Sequence, residues 1–117
     1  MLIERQIIQD IFSKIGTTNK FCVEFGIDNN GDQTIELIRN QNWSGLYIEA
    51  DEGRYSRAVQ ENSNFNVKLI HSFVTAENIN HLFDSANVPS EVDLVSIDID
   101  GMDYWVWKAL TYIPRVV

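Results

Sequence analysis

The sequence predicts an α/β domain: a doubly wound, mostly parallel sheet of about five strands with helices on both faces. Three observations point there. Apolar runs of strand length alternate with helical apolar periods along the chain, turn-forming residues separate them, and an apolar content of 44% suits an ordinary globular core. Residues 1–16 form an amphipathic lead-in helix, with Ile3, Ile7, Ile8, Ile11, Phe12 and Ile15 on one face and Gly16 as a left-handed C-cap. "FCVEFGI" (21–27) is the first strand. The turn-rich "DNNGDQ" and a helix carrying Ile35, Leu37 and Ile38 follow it. "SGLYIEA" (44–50) is the second strand, ending near Glu49, and its helix holds Tyr55, Ala58 and Val59. "NVKLIHSFV" (66–74) is the third, followed by a helix with Ile79, Leu82 and Phe83. "VDLVSIDI" (92–99) is the fourth. On the last helix Trp105 and Val106 with Ala109 and Leu110 pack against the sheet, and "PRVV" starts a fifth strand.

With 117 residues the chain is one domain. A formal charge of -8 argues against nucleic acid or an anionic membrane as partner, because both require a basic face. Cys22, the single cysteine, lies in an apolar run and reads as an inert core thiol. No apolar stretch reaches membrane-spanning length, and Glu4 and Arg5 break any signal-peptide pattern. A cytoplasmic protein is expected.

In doubly wound sheets ligands sit outside the carboxyl ends of the strands. Polar residues collect at that edge: Glu24 and Gly26 on the first strand, Glu49 on the second, Ser72 and Phe73 on the third, Asp98 and Asp100 on the fourth. A dinucleotide fits poorly there. The three-glycine fingerprint is missing, and Glu24, Asp28 and Asp32 would surround a diphosphate with like charge. No phosphate-loop G-K-[ST] occurs either. A nucleoside with a cationic tail and no phosphate fits better, and S-adenosylmethionine is such a ligand. Glu49, about 25 residues after Glu24, stands where an acid accepts two hydrogen bonds from ribose hydroxyls.

From "FCVEFG" through "GLYIEAD" and "FVTAENI" to "SIDIDGMDYWVWKAL", the chain resembles class I S-adenosylmethionine-dependent methyltransferases, most closely those of the FkbM type. The resemblance implies a Rossmann-like sheet in the order 3-2-1-4-5 and O-methylation of a small-molecule or sugar hydroxyl. Glu24 and Gly26 match the superfamily's E-x-G-x-x-x-G, and Gly31 comes one residue late. By the same resemblance these three residues border the cofactor, Glu49 holds the ribose, Ser72 and Phe73 border the adenine, and Asp98 lies near the methionine end. The superfamily's sheet has seven strands, so residues 1–117 read as a single, incomplete methyltransferase-like domain.

The segment "DIDGMD" allows several readings. As a metal-binding D-x-D it would suit a glycosyltransferase, which leaves Glu24, Gly26 and Glu49 unexplained; as a D-x-D-G phosphatase motif it has Met102 where a threonine is usual. Within the methyltransferase reading, Asp98, Asp100 and Asp103 are candidate ligands for Mg²⁺, which would hold an acceptor hydroxyl and lower its pKa. Without a metal, crowding raises at least one of these carboxyls, and Asp100, with Asp98 beside it, is the candidate general base. The bland reading has Asp103 capping the next helix and Asp98 bonding turn amides. His71 and His81 read as structural, and Tyr104, Trp105 and Trp107 offer an alternative aromatic platform for an acceptor. A non-catalytic module that keeps only the nucleoside pocket, or only the fold, is the competing class. An outer strand formed by "PRVV" would leave an open edge, which predicts a homo-oligomer.

Overall fold

Gly16 ends the first helix as its position predicts: at φ 72° it is left-handed, and its N–H returns to Phe12 O at 2.9 Å. The structure is a computed structural model describing residues 2–26, 34–97 and 103–117, with backbone alone for residues 2–5, 103 and 104. The helices are α1 (Leu2–Ile15), α2 (Ile35–Asn40), α3 (Glu52–Glu61), α4 (Ile79–Ser85) and α5 (Asp103–Ala109). Between them run the strands β1 (Phe21–Phe25), β2 (Ser44–Glu49), β3 (Val67–His71) and β4 (Leu94–Ser96). The four strands are parallel in the order β3-β2-β1-β4, a Rossmann-like arrangement. A parallel sheet buried on both faces needs apolar side chains at successive positions. β1 and β2 supply them, and their burial is near complete from Cys22 to Phe25 and from Gly45 to Glu49.

Alternation along the strands sorts the core into two layers. Val23, Phe25, Leu46, Ile48 and Val95 face Ile79, Leu82 and Phe83 of α4 and Val106 of α5. Cys22, Tyr47 and Leu94 face Phe12 of α1, Leu37 and Ile38 of α2 and Ala58 of α3. Edge-to-face ring pairs lock both layers, Phe25 with Phe83 and Phe12 with Trp43. Cys22 is fully buried, and burial, reinforced by Glu24, pushes its thiol above the ordinary range, so it is the inert core thiol expected.

Three expectations are corrected. "PRVV" forms no fifth strand among the described residues; Val116 makes one isolated parallel bridge to Leu94. The segment is short, and its polar anchors hold it instead: Ile113, Arg115 and Val116 donate backbone N–H bonds to Ser90, Val92 and Asp93. β3 closes at His71, before Ser72 and Phe73. Trp105 does not pack on the sheet: it is 55% exposed, with Lys108 Nζ 5.6 Å from its ring centre, while Val106 beside it is fully buried. Among the described residues no helix is long and apolar enough to cross a membrane.

Asp93 ties the amino end of the sheet together. Its carboxylate is fully buried and accepts the successive backbone N–H groups of Thr18, Asn19 and Lys20 at 2.8 to 3.0 Å. Arg115 Nη1 completes the set at 3.0 Å. Consecutive amides converge only if the backbone curls, and Lys20 does so at φ 52°. Burial alone would raise the Asp93 pKa; the three amides and the guanidinium outweigh it and hold the carboxyl below its ordinary value.

Candidate functional site at the carboxyl ends of the strands

The pairing continues one residue past the strands and builds a level edge. Gly26 N–H donates to Ile48 O at 3.1 Å, and Ser72 N–H donates to Glu49 O at 3.0 Å. Gly26, Glu49 and Ser72 therefore stand side by side where β1, β2 and β3 end. Gly26 has φ 65°, a left-handed turn that a side chain would oppose by about 1 kcal/mol.

Glu24 is buried at this end and takes part in a hydrogen-bond network. One of its oxygens, Oε1, accepts from Thr34 N at 3.2 Å and Thr34 Oγ1 at 2.8 Å. Tyr47 Oη lies 3.0 Å from the same Thr34 hydroxyl. With Glu24 ionised, the single hydroxyl proton of Thr34 is committed to the carboxylate, so the phenol donates to Thr34. Burial pushes the Tyr47 phenol above its ordinary range. The network fixes the start of α2 on the sheet.

Glu49 is different. It is 4% exposed, its Oε2 accepts Asp51 N–H at 2.7 Å, and its Oε1 is buried without a hydrogen-bond partner among the described residues. A buried carboxylate oxygen left without a donor costs about 1–3 kcal/mol or more, so this position calls for a donor. Asp51 meanwhile caps α3, its Oδ2 accepting Arg54 N–H at 2.8 Å. Since one amide serves Glu49 and one carboxylate serves the helix, the turn carrying Glu49 is built from both sides.

At the end of β3 the His71 ring stacks on Tyr55, with 5.1 Å between centres and 20° between planes. Its Nε2 lies 3.0 Å from Ala50 O. Phe73 is 74% exposed, yet its carbonyl accepts from Asn78 Nδ2 and Ser72 Oγ. Thr75 and Asn78 cap each other reciprocally below it. Ser72 and Phe73 thus flank the Glu49 position on a pinned backbone.

Gly31, Asp98 and Asp100 lie outside the described residues, as does the side chain of Asp103, whose backbone begins α5. Among the described residues no group of three His, Cys, Asp or Glu side chains forms a metal site. A cleft of about 330 Å³ lies between α1 and α2, lined by Phe12, Ser13, Lys20, Leu37 and Trp43 among others. Lys20 and Trp43 precede β1 and β2, so the cleft is at the amino end of the sheet, opposite Glu49. Sequence reasoning passed over Asp93, a residue whose signal was an acid directly before a buried strand, where only a full set of donors makes burial tolerable.

The sequence matches no protein-family model and no curated protein.

Proposed function

We propose that this chain binds S-adenosylmethionine at the carboxyl edge of β1 and β2 and methylates a hydroxyl of a small molecule or sugar. The observation that carries the reading is the orphaned Glu49 Oε1, an acceptor in want of a donor at the end of the second strand. A ribose offers two adjacent hydroxyls. Oε1 would take one, and the lone pair that Asp51 leaves on Oε2 would take the other. Gly26 keeps the neighbouring turn free of a side chain, and the exposed Phe73 ring supplies an apolar surface for a base. The acidic edge also favours a cationic ligand and opposes a diphosphate.

When bound, S-adenosylmethionine supplies an electrophilic methyl group on a sulfonium. The chain's part is alignment and proton removal. Asp100 is the proposed general base, which would take the proton of the acceptor hydroxyl, with Asp98 two residues before it in the sequence. Mg²⁺ held by Asp98, Asp100 and Asp103 would do the same work by lowering the hydroxyl pKa. The buried, reduced Cys22 suits a cytoplasmic setting.

A methyl-transfer screen against sugars and small hydroxylated acceptors, read by formation of S-adenosylhomocysteine, tests the reading. Turnover with an acceptor supports an enzyme. Cofactor binding without turnover on any acceptor would favour the non-catalytic module instead.

A further inference from the structure

We infer that His71 is a positioning residue for the nucleoside site, an inference that rests on the ribose role proposed for Glu49. The Glu49 carboxylate hangs from the turn of residues 49–51, which is held at three points. Asp51 N–H donates to Glu49 Oε2, Ser72 N–H donates to Glu49 O, and His71 Nε2 bonds Ala50 O at 3.0 Å. A carbonyl only accepts, so Nε2 carries the proton in that bond. Glu49 and His71 are register partners on β2 and β3, and their side chains leave the sheet on the same face. The Tyr55 ring, on α3 just beyond the turn, stacks on the imidazole and limits its rotation. Tyr55 is itself bonded through its N–H to Asp51 O at 2.9 Å, so ring, turn and helix start form one closed loop of contacts.

The bond to Ala50 is one residue from Glu49 and lies at an exposed position. An exposed hydrogen bond contributes little to global stability, yet here it sets the direction of the side chain that meets the ligand. Its loss would spread the Glu49 carboxylate over several orientations and weaken binding by about two- to tenfold, the span of one net hydrogen bond.

Two variants separate the donor from the stack. His71→Phe keeps the ring on Tyr55 and removes the donor; His71→Gln restores an amide N–H at similar reach and removes the ring. Calorimetric titration with S-adenosylhomocysteine should show weaker binding for His71→Phe and near wild-type binding for His71→Gln. The reverse order, or equal affinities in wild type and His71→Phe, would overturn the inference while leaving the ribose assignment intact. Absence of binding to the wild type would instead overturn the ribose assignment. Hydrogen exchange at the Asp51 amide then still decides the brace: faster exchange in His71→Phe and recovery in His71→Gln support it, and unchanged exchange refutes it.

Discussion

Replacing Asp93 by asparagine keeps the shape of the side chain and removes one charge and one acceptor oxygen. In the native fold Oδ2 accepts from the amides of Thr18, Asn19 and Lys20, while Oδ1 faces Arg115 Nη1 and Thr18 N. An asparagine that turns its oxygen to the three amides must turn its NH₂ toward the guanidinium, donor against donor. Hydrogen bonds to a charged group contribute about 1.5–3 kcal/mol and neutral ones about 1. Weakening three such bonds and opposing the fourth therefore costs about 3 kcal/mol, a large share of the 5–15 kcal/mol, roughly, that holds a domain together. Urea unfolding should show a lower midpoint with an unchanged slope. The pH dependence has a definite sign. The folded-state pKa lies below the ordinary 3.8, so this stabilisation is complete above the unfolded value and is lost as pH falls through the folded one. The gap between wild type and Asp93→Asn should accordingly shrink on acidification. A cost under about 1 kcal/mol at neutral pH, or a gap independent of pH, would refute the assignment of Asp93 as the clamp between the 17–20 turn, β4 and the C-terminal segment.

Gly45→Ala should destabilise the fold by about 1–3 kcal/mol. A methyl there would lie 2.7 Å from Ile38 Cδ1, which can turn away, and 3.3 Å from the Cys22 carbonyl, which cannot; thermal melting checks this, and an unchanged midpoint would contradict the close seating of α2. Asp100→Asn should abolish methyl transfer while cofactor affinity stays nearly intact, whereas loss of both would indicate a structural role. Activity that vanishes with chelator and returns with Mg²⁺ would assign the aspartates to a metal, and chelator-resistant activity would assign Asp100 as base. Light scattering at micromolar concentration is expected to show a dimer or larger assembly; a monodisperse monomer would remove the expected pairing of sheet edges.

The alternation of strand and helix was legible because each strand is a short apolar run and each helix has its own apolar face. Ile79, Leu82 and Phe83 illustrate this: their spacing alone places them on one side of a helix, and all three are buried together. The left-handed stop at Gly16 was equally readable, since only backbone geometry is involved. Trp105 was misread because its helix is short, and Val106 with the partly buried Ala109 and Leu110 meets the core while Trp105 faces solvent. The fifth strand was overread because β propensity in "RVV" says nothing of how many ladder bonds a neighbour offers; β4 itself spans only Leu94–Ser96. At the site, acids at strand ends were visible, but their division of labour was not. Glu24 and Glu49 look alike in sequence, and only their surroundings tell them apart: Thr34 bonds Glu24 Oε1, whereas Glu49 Oε1 is buried with no hydrogen-bond partner among the described residues.

Calorimetric titration of wild type and Glu49→Ala with S-adenosylhomocysteine tests the central claim most directly. The wild type should bind S-adenosylhomocysteine and fail to bind NAD, and the variant should lose about 1.5–3 kcal/mol of affinity, the range for hydrogen bonds to a charged group. Wild-type affinity in Glu49→Ala, or micromolar binding of NAD, would contradict it.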